Sequence, residues 1–408
     1  MFFYIYQANF TFLSLPFVSS SVQLSWLLMV LYVFFTLFTN KRTIAKSNAI
    51  TFKYWKRNVY VFLGLFAYSV FLLLIVGRGD GSNIFEEVIK YFMYGIPMFW
   101  IWARLFGNME CFMKVLLLTG IIQTFFILYC LINPTFALIL DATVNYNPTI
   151  DDFSRHTMAA MREDYAGGLG CITSSGLVKY TLTGLIPCVY FCVNKEGSFY
   201  LLLFLIMAFC AAMLARTGLL YDIILALFVL LKRFQSQSMG PVIIISVLAS
   251  IILFVLFTSS EYSRFVDDRF FRYESLKEGG TQGFFESYFY GANAHYPPIN
   301  SDTFWGVGVT SGTSANGYEV NVDGGPMRQY SAIGILGCLI FYFLVLFNQI
   351  KTIRIFKQRN DRHFLWLLLF CMIIGEWKEV TFMAFWPIPL FFFVSFLLER
   401  KEKQNTIQ

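Results

Sequence analysis

Arg269 and Arg272 stand three residues apart in the segment Arg264–Lys277, which reads as an amphipathic helix. Phe265, Phe270, Phe271 and Leu276 form its apolar side, and Gly279 with Gly280 ends it. Residues three apart share a helix face. Two guanidinium forks side by side suit a diphosphate, because each presents planar donors to phosphate oxygens. The same arginines are equally able to pair with Asp267, Asp268 and Glu274 on a solvated helix, where such pairs contribute little.

A third arginine, Arg216, lies between two apolar runs in Ala215-Arg216-Thr217-Gly218. A charge at such a boundary is either a snorkelling anchor or a functional group facing a cavity, and the functional reading is favoured. Thr217 and Gly218 permit a tight turn, and free N–H groups at the start of the next helix would help Arg216 hold an anion. Asp222, one turn on, either pairs with Arg216 or orients it. The fourth arginine, Arg328, follows Asp323 in Val322-Asp323-Gly324-Gly325-Pro326-Met327-Arg328, just before an apolar span. Asp323 is suited to take a proton from an attacking hydroxyl if burial raises its pKa. It is equally suited to cap the following helix. His295 and His156 are general-base candidates near neutral pH, and Glu376 is a third carboxylate candidate, placed at the end of an apolar span. These spacings do not converge on a metal site.

The elements that must position these groups are membrane spans. Hydrophobic residues are 57% of the 408 and charged residues only 14%, against about 25% charged in soluble domains. Apolar runs recur along the whole chain, so a single all-α polytopic membrane domain over 1–408 is expected, with about twelve spans. They run near 3–18, 22–39, 59–77, 87–103, 115–132, 176–193, 199–215, 218–231, 241–258, 330–348, 364–378 and 382–398. With both termini cytoplasmic, the inner segments hold 19 of the 31 Lys and Arg but 5 of the 25 Asp and Glu. The positive-inside rule selects that orientation. It reads the basic patches at 40–58 and 348–363 as cytoplasmic rather than nucleic-acid binding. Two large outer loops follow, 133–175 and 259–329. The eight cysteines offer no CxxC pair, so neither a disulfide framework nor a thiolate site is indicated. No internal repeat is evident. Trp305-Gly306-Val307-Gly308 reads as a turn bringing the second loop close to the membrane domain, not as a nucleotide fingerprint.

Three features together resemble the bacterial O-antigen polymerases (Wzy type), within the O-antigen polymerase and ligase superfamily. Ala215-Arg216-Thr217-Gly218-Leu219-Leu220 resembles the superfamily's arginine–glycine–leucine junction. Arg272 followed by Trp305-Gly306-Val307-Gly308 resembles the late-loop arginine and "GvG" turn. The run from Asp323 through Gln329-Tyr330 to Gly334-Ile335-Leu336-Gly337 resembles the "DsGy…GxxG" approach to the next span. Ligases of the superfamily typically carry a histidine where Asp323 stands, which points toward the polymerase; His295 could still fill that role.

The resemblance implies a GT-C-like glycosyltransferase that needs neither metal nor cofactor. Its donor would be an undecaprenyl-diphosphate-linked glycan, and its acceptor a second lipid-linked repeat unit. Transfer would occur at the periplasmic face of the inner membrane. Membrane lipid and a chain-length regulator protein would be partners, and nucleic acid would not. Under that reading Arg216, Arg269, Arg272 and Arg328 hold the diphosphate, while Asp323, His295 or Glu376 deprotonates the acceptor. The alternatives are the ligase of the same superfamily and a flippase of the same lipid-linked glycans.

Overall fold

A computed structural model describes residues 1–6, 20–39, 48–75, 81–133, 135–136, 139–140, 173–195, 198–215, 217–235, 304–308, 312–313, 319–320, 325–378 and 381–407. These residues are almost all helical, joined by short turns, with one two-residue antiparallel pair, β1 (Gly312–Thr313) with β2 (Glu319–Val320). Among the described residues, four helical stretches are long and apolar enough to cross a membrane: Phe52–Leu74, Met109–Ile132, Gly176–Asn194 and Gly325–Ile353. Rows of exposed Leu and Phe, such as Leu24, Leu28, Leu31, Phe34 and Phe35, suit contact with lipid. The protein is membrane-embedded.

The chain divides into two compact units. The first comprises Met1–Ser14 and Met113–Ala292. It contains α1 (Phe2–Tyr6), and the second comprises Leu15–Phe112 and Asn293–Gln408. In the second unit run α2 (Ser20–Thr39), α3 (Asn48–Leu74), α4 (Gly81–Lys90), a π-helical turn (Tyr91–Gly95) and α5 (Ile96–Leu105). Helix α6 (Met109–Ile132) begins there, capped by the Asn108 Oδ1 atom accepting from the Cys111 N–H at 2.7 Å, and continues into the first unit. The first unit continues with α7 (Thr173–Tyr180), a second π turn (Thr181–Leu185), α8 (Ile186–Asn194), α9 (Phe199–Leu214) and α10 (Thr217–Gln235). The second unit closes with α11 (Gly325–Ile353), α12 (Arg359–Lys378) and α13 (Pro387–Ile407).

Both π turns precede a proline, Pro97 and Pro187. Proline removes an N–H and crowds the carbonyl four residues back. Widening one turn, so that Ile96 bonds back to Tyr91 and Ile186 to Thr181, relieves that clash. Each turn also contains a glycine at a close approach within its own unit. A side chain on Gly95 would strike the Phe385 carbonyl, and one on Gly184 the Met207 side chain and, at 3.2 Å, the Gly120 backbone. Small residues of this kind let membrane helices touch. Gly120→Leu should therefore push α6 from the second π turn and destabilise the protein by about 1–3 kcal/mol. Unfolding in mixed detergent micelles reads this, and an unchanged midpoint would contradict the packing.

Several expected spans are corrected at their ends, three of them in ways the packing explains or defines. The span expected at 59–77 is a helix that starts at Asn48, within the patch expected as a basic inner segment. Lys53 and Lys56 lie over the Tyr54 and Tyr60 rings, and Lys53 pairs with Glu399 at 2.8 Å, so a charged stretch near the start is held in the helix. The span expected at 330–348 starts at Gly325 and runs to Ile353. The span expected at 382–398 starts at Pro387, because Thr381–Trp386 forms a non-helical turn, and it extends to Ile407.

Near the ends of α3 and α13, Glu399 accepts from Lys53 at 2.8 Å and Tyr54 at 2.6 Å, and pairs with Lys403 at 3.1 Å. Burial pushes its carboxyl up, but the hydrogen bonds from Lys53, Tyr54 and Lys403 hold it below the ordinary value of 4.5. A folded-state pKa below the unfolded one adds stability that is present above the unfolded value and lost as pH falls through the folded value. Acidification below pH 4.5 should therefore lower the melting temperature of the wild-type protein in detergent. Glu399→Gln should melt lower at neutral pH and lose that acid-dependent component. Identical acid profiles for the two proteins would sink this assignment.

Candidate functional site

The site residues that the structure describes gather where α11 begins. Pro326 occupies the first turn of α11, where its missing N–H costs nothing. Arg328 follows, half-buried, and then Gln329, fully buried. The helix is broken at Gly334, whose φ of 69° and ψ of 178° are open essentially only to glycine. The break leaves the carbonyls of Ser331 and Ala332 without helical partners. The Gly306–Gly308 turn supplies them: Val307 N–H donates to Ser331 at 2.7 Å and Gly308 N–H to Ala332 at 3.0 Å.

The approach is glycine on glycine. A side chain on Gly306 (φ 96°) would collide with the Ala332 carbonyl, and one on Gly334 with the Phe304 carbonyl. Tyr68 of α3 completes the latch. Its hydroxyl donates to the Trp305 carbonyl at 2.9 Å, its ring lies against the bare face of Gly337, and the Trp305 ring packs on Phe71 at 5.5 Å. The Trp305–Gly308 turn thus does bring its segment onto a membrane helix, as expected. The turn and the Gly334–Gly337 motif are two halves of one structure, a relation that their separation in sequence conceals.

Below the latch lies Glu376, in the last turn of α12 and 3% exposed. Its Oε1 atom accepts from Gln329 Nε2 at 2.5 Å and from the Tyr342 hydroxyl at 2.7 Å. Its Oε2 atom accepts the N–H groups of Thr381 at 2.7 Å and Phe382 at 2.6 Å. Four donors on two oxygens fit an ionised carboxylate. With all four engaged, Glu376 acts as a fixed negative anchor tying α11 to the Thr381–Trp386 turn. The geometry gives it a positioning role rather than an exposed base. Sequence reasoning does not single out Gln329 or Tyr342 as site residues. Gln329 sits inside the run from Asp323 to Gly337, while Tyr342 is one aromatic in an apolar run, with no sequence signal of its partner.

In the first unit, Ala215 and Gly218 are hydrogen-bonded to each other at the start of α10. Gly218 N–H donates to Ala215 O at 2.8 Å, and a side chain on Gly218 would strike the Ala211 carbonyl. Asp222 Oδ1 is buried with no hydrogen-bond partner among the described residues. Arg233 is 3% exposed and donates to the carbonyls of Cys192 and Lys195 at 2.8 and 2.9 Å, closing the end of α8.

Of the sequence-derived site residues, Arg328 and Glu376 are described and belong to one unit. Arg216, Arg269, Arg272, His295 and Asp323 lie outside the described residues, as do His156 and nearly all of the expected first loop. Among the described residues there is no group of three or more metal-ligating side chains. Comparison of the chain with family models, curated proteins and solved structures gives no match.

Proposed function

We propose that this membrane protein polymerises lipid-linked oligosaccharide repeat units, as the resemblance to the O-antigen polymerases implies. It would be a metal-independent glycosyltransferase of GT-C-like architecture, with about twelve spans and both termini cytoplasmic. Its donor is an undecaprenyl-diphosphate-linked glycan, transferred to a hydroxyl of the incoming unit at the periplasmic face of the inner membrane.

The observation that best supports this reading is the latch between the Trp305–Gly308 turn and Gly334. Two motifs that carry the resemblance meet there, and they fix the helix that bears Arg328. A diphosphate leaving group gains negative charge in the transition state, and preorganised guanidinium groups stabilise it. In this reading Arg216, Arg269, Arg272 and Arg328 supply that clamp. Asp323 or His295 takes the acceptor proton, and Glu376 holds the frame on which Arg328 stands.

In cells lacking their native polymerase, the wild-type protein should restore long surface glycans. Arg328→Ala and the double variant Arg216→Ala with Arg269→Ala should leave glycans one repeat long at equal protein level. Normal chain length from the well-expressed double variant would remove the phosphate clamp.

A further inference from the structure

Gln329 carries an unused acceptor whose direction is fixed. A side-chain amide has one donor end and one acceptor end, and the two are interchangeable unless a neighbour chooses between them. Here Glu376 chooses. Its Oε1 only accepts, so the Gln329 Nε2 must face it, at 2.5 Å. Glu376 cannot turn away, because Tyr342, Thr381 and Phe382 hold its two oxygens. The Gln329 Oε1 atom is therefore locked pointing away from Glu376. It is buried, with no donor among the described residues, and Gln329 is 0% exposed. Leaving such an acceptor unmatched is costly. The next two residues, Tyr330 and Ser331, also keep buried hydroxyls without partners among the described residues. Among the described residues, three successive side chains between Arg328 and the latch at Gly334 thus each keep one buried polar atom without a partner.

We propose that Gln329 is a binding residue for a hydroxyl of the glycan substrate, with Glu376 as the positioning residue that sets its amide. The proposal rests on the glycan-polymerising reading and gives the site a polyhydroxylated ligand. A sugar hydroxyl donates to Oε1 and ends the mismatch. A site built to bond a hydroxyl also rejects ligands that lack one.

The test uses the purified full-length protein in detergent. The probe is the lipid-free repeat-unit oligosaccharide, released by mild acid from the lipid-linked pool of a strain that makes it. Wild type should bind it, and Gln329→Met should weaken binding ~5–10-fold, the effect of one lost hydrogen bond. Glu376→Gln should weaken it similarly, because a glutamine there lets the Gln329 amide reverse. Where turnover is measurable, Gln329→Met should raise KM for the acceptor with kcat little changed. The per-O-methylated oligosaccharide, which has no donors, should not compete on wild type, an outcome that does not depend on any variant folding.

Binding of the native oligosaccharide by Gln329→Met as tightly as by wild type overturns the proposal. So does equal competition by the methylated probe, or no binding to wild type. Failure of wild type to elongate glycans, alongside hydroxyl-dependent binding lost in Gln329→Met, would defeat the polymerase reading and leave this one standing.

Discussion

Gly334→Ala is expected to lower the melting temperature of the detergent-solubilised protein by about 5 °C or more and to stop glycan elongation. Two effects add. The backbone at Gly334, with φ 69° and ψ 178°, lies where a β-carbon costs ~1–3 kcal/mol in strain. The new methyl would also strike the Phe304 carbonyl and lie 2.5 Å from the Gly306 N and Trp305 C atoms. Backbone atoms cannot rotate away as a side-chain tip would, so the turn must lift. That breaks the Val307–Ser331 and Gly308–Ala332 bonds and frees the start of α11. Gly107→Ala is the matched control, since a β-carbon there meets nothing within 4 Å. It should lie within ~0.5 kcal/mol of wild type. Equal melting temperatures for the two variants would refute the latch.

The second large effect is expected at Glu376. Glu376→Ala removes the acceptor for Gln329, Tyr342 and the N–H groups of Thr381 and Phe382 at once. Each buried donor left without a partner costs ~1–3 kcal/mol, and water entering the gap recovers part of that. A loss of ~3–5 kcal/mol is expected, in the range of a broken buried charge network. Glu376→Gln keeps the shape and part of the acceptor capacity and should fall between. A chemical-unfolding series in detergent orders the three proteins. Alanine and glutamine variants as stable as wild type would mean that Glu376 anchors nothing.

Sequence and structure part company in instructive places. Among the described residues hydropathy located the apolar helices, because burial in lipid demands runs of apolar residues whatever their neighbours; the span expected at 241–258 and most of that at 3–18 lie outside the described residues. It misplaced the start of α3, because Lys53 and Lys56 read as loop while their stems lie over tyrosine rings. The π turns at Tyr91–Gly95 and Thr181–Leu185 were not foreseen. Pro97 and Pro187 announce a disturbed helix, but whether it kinks or widens depends on the helices packed at Gly95 and Gly184.

Within the site, the Trp305–Gly308 turn was legible from its glycines, and Glu376 was noticed as a carboxylate at a membrane boundary. Its four donors were not legible, because two are backbone N–H groups and two come from other parts of α11. The absence of an evident sequence repeat also hides a local device, proline after a π turn with a packed glycine, that occurs once in each unit among the described residues.

Reconstitution tests the central claim most directly. Purified protein would be given a single undecaprenyl-diphosphate-linked repeat unit in detergent, with chelator present and no nucleotide sugar, and the glycans resolved by size. The account predicts a ladder at multiples of the repeat unit from wild type, and none from Gly334→Ala. A starting unit that stays one repeat long with well-folded wild-type protein would contradict it.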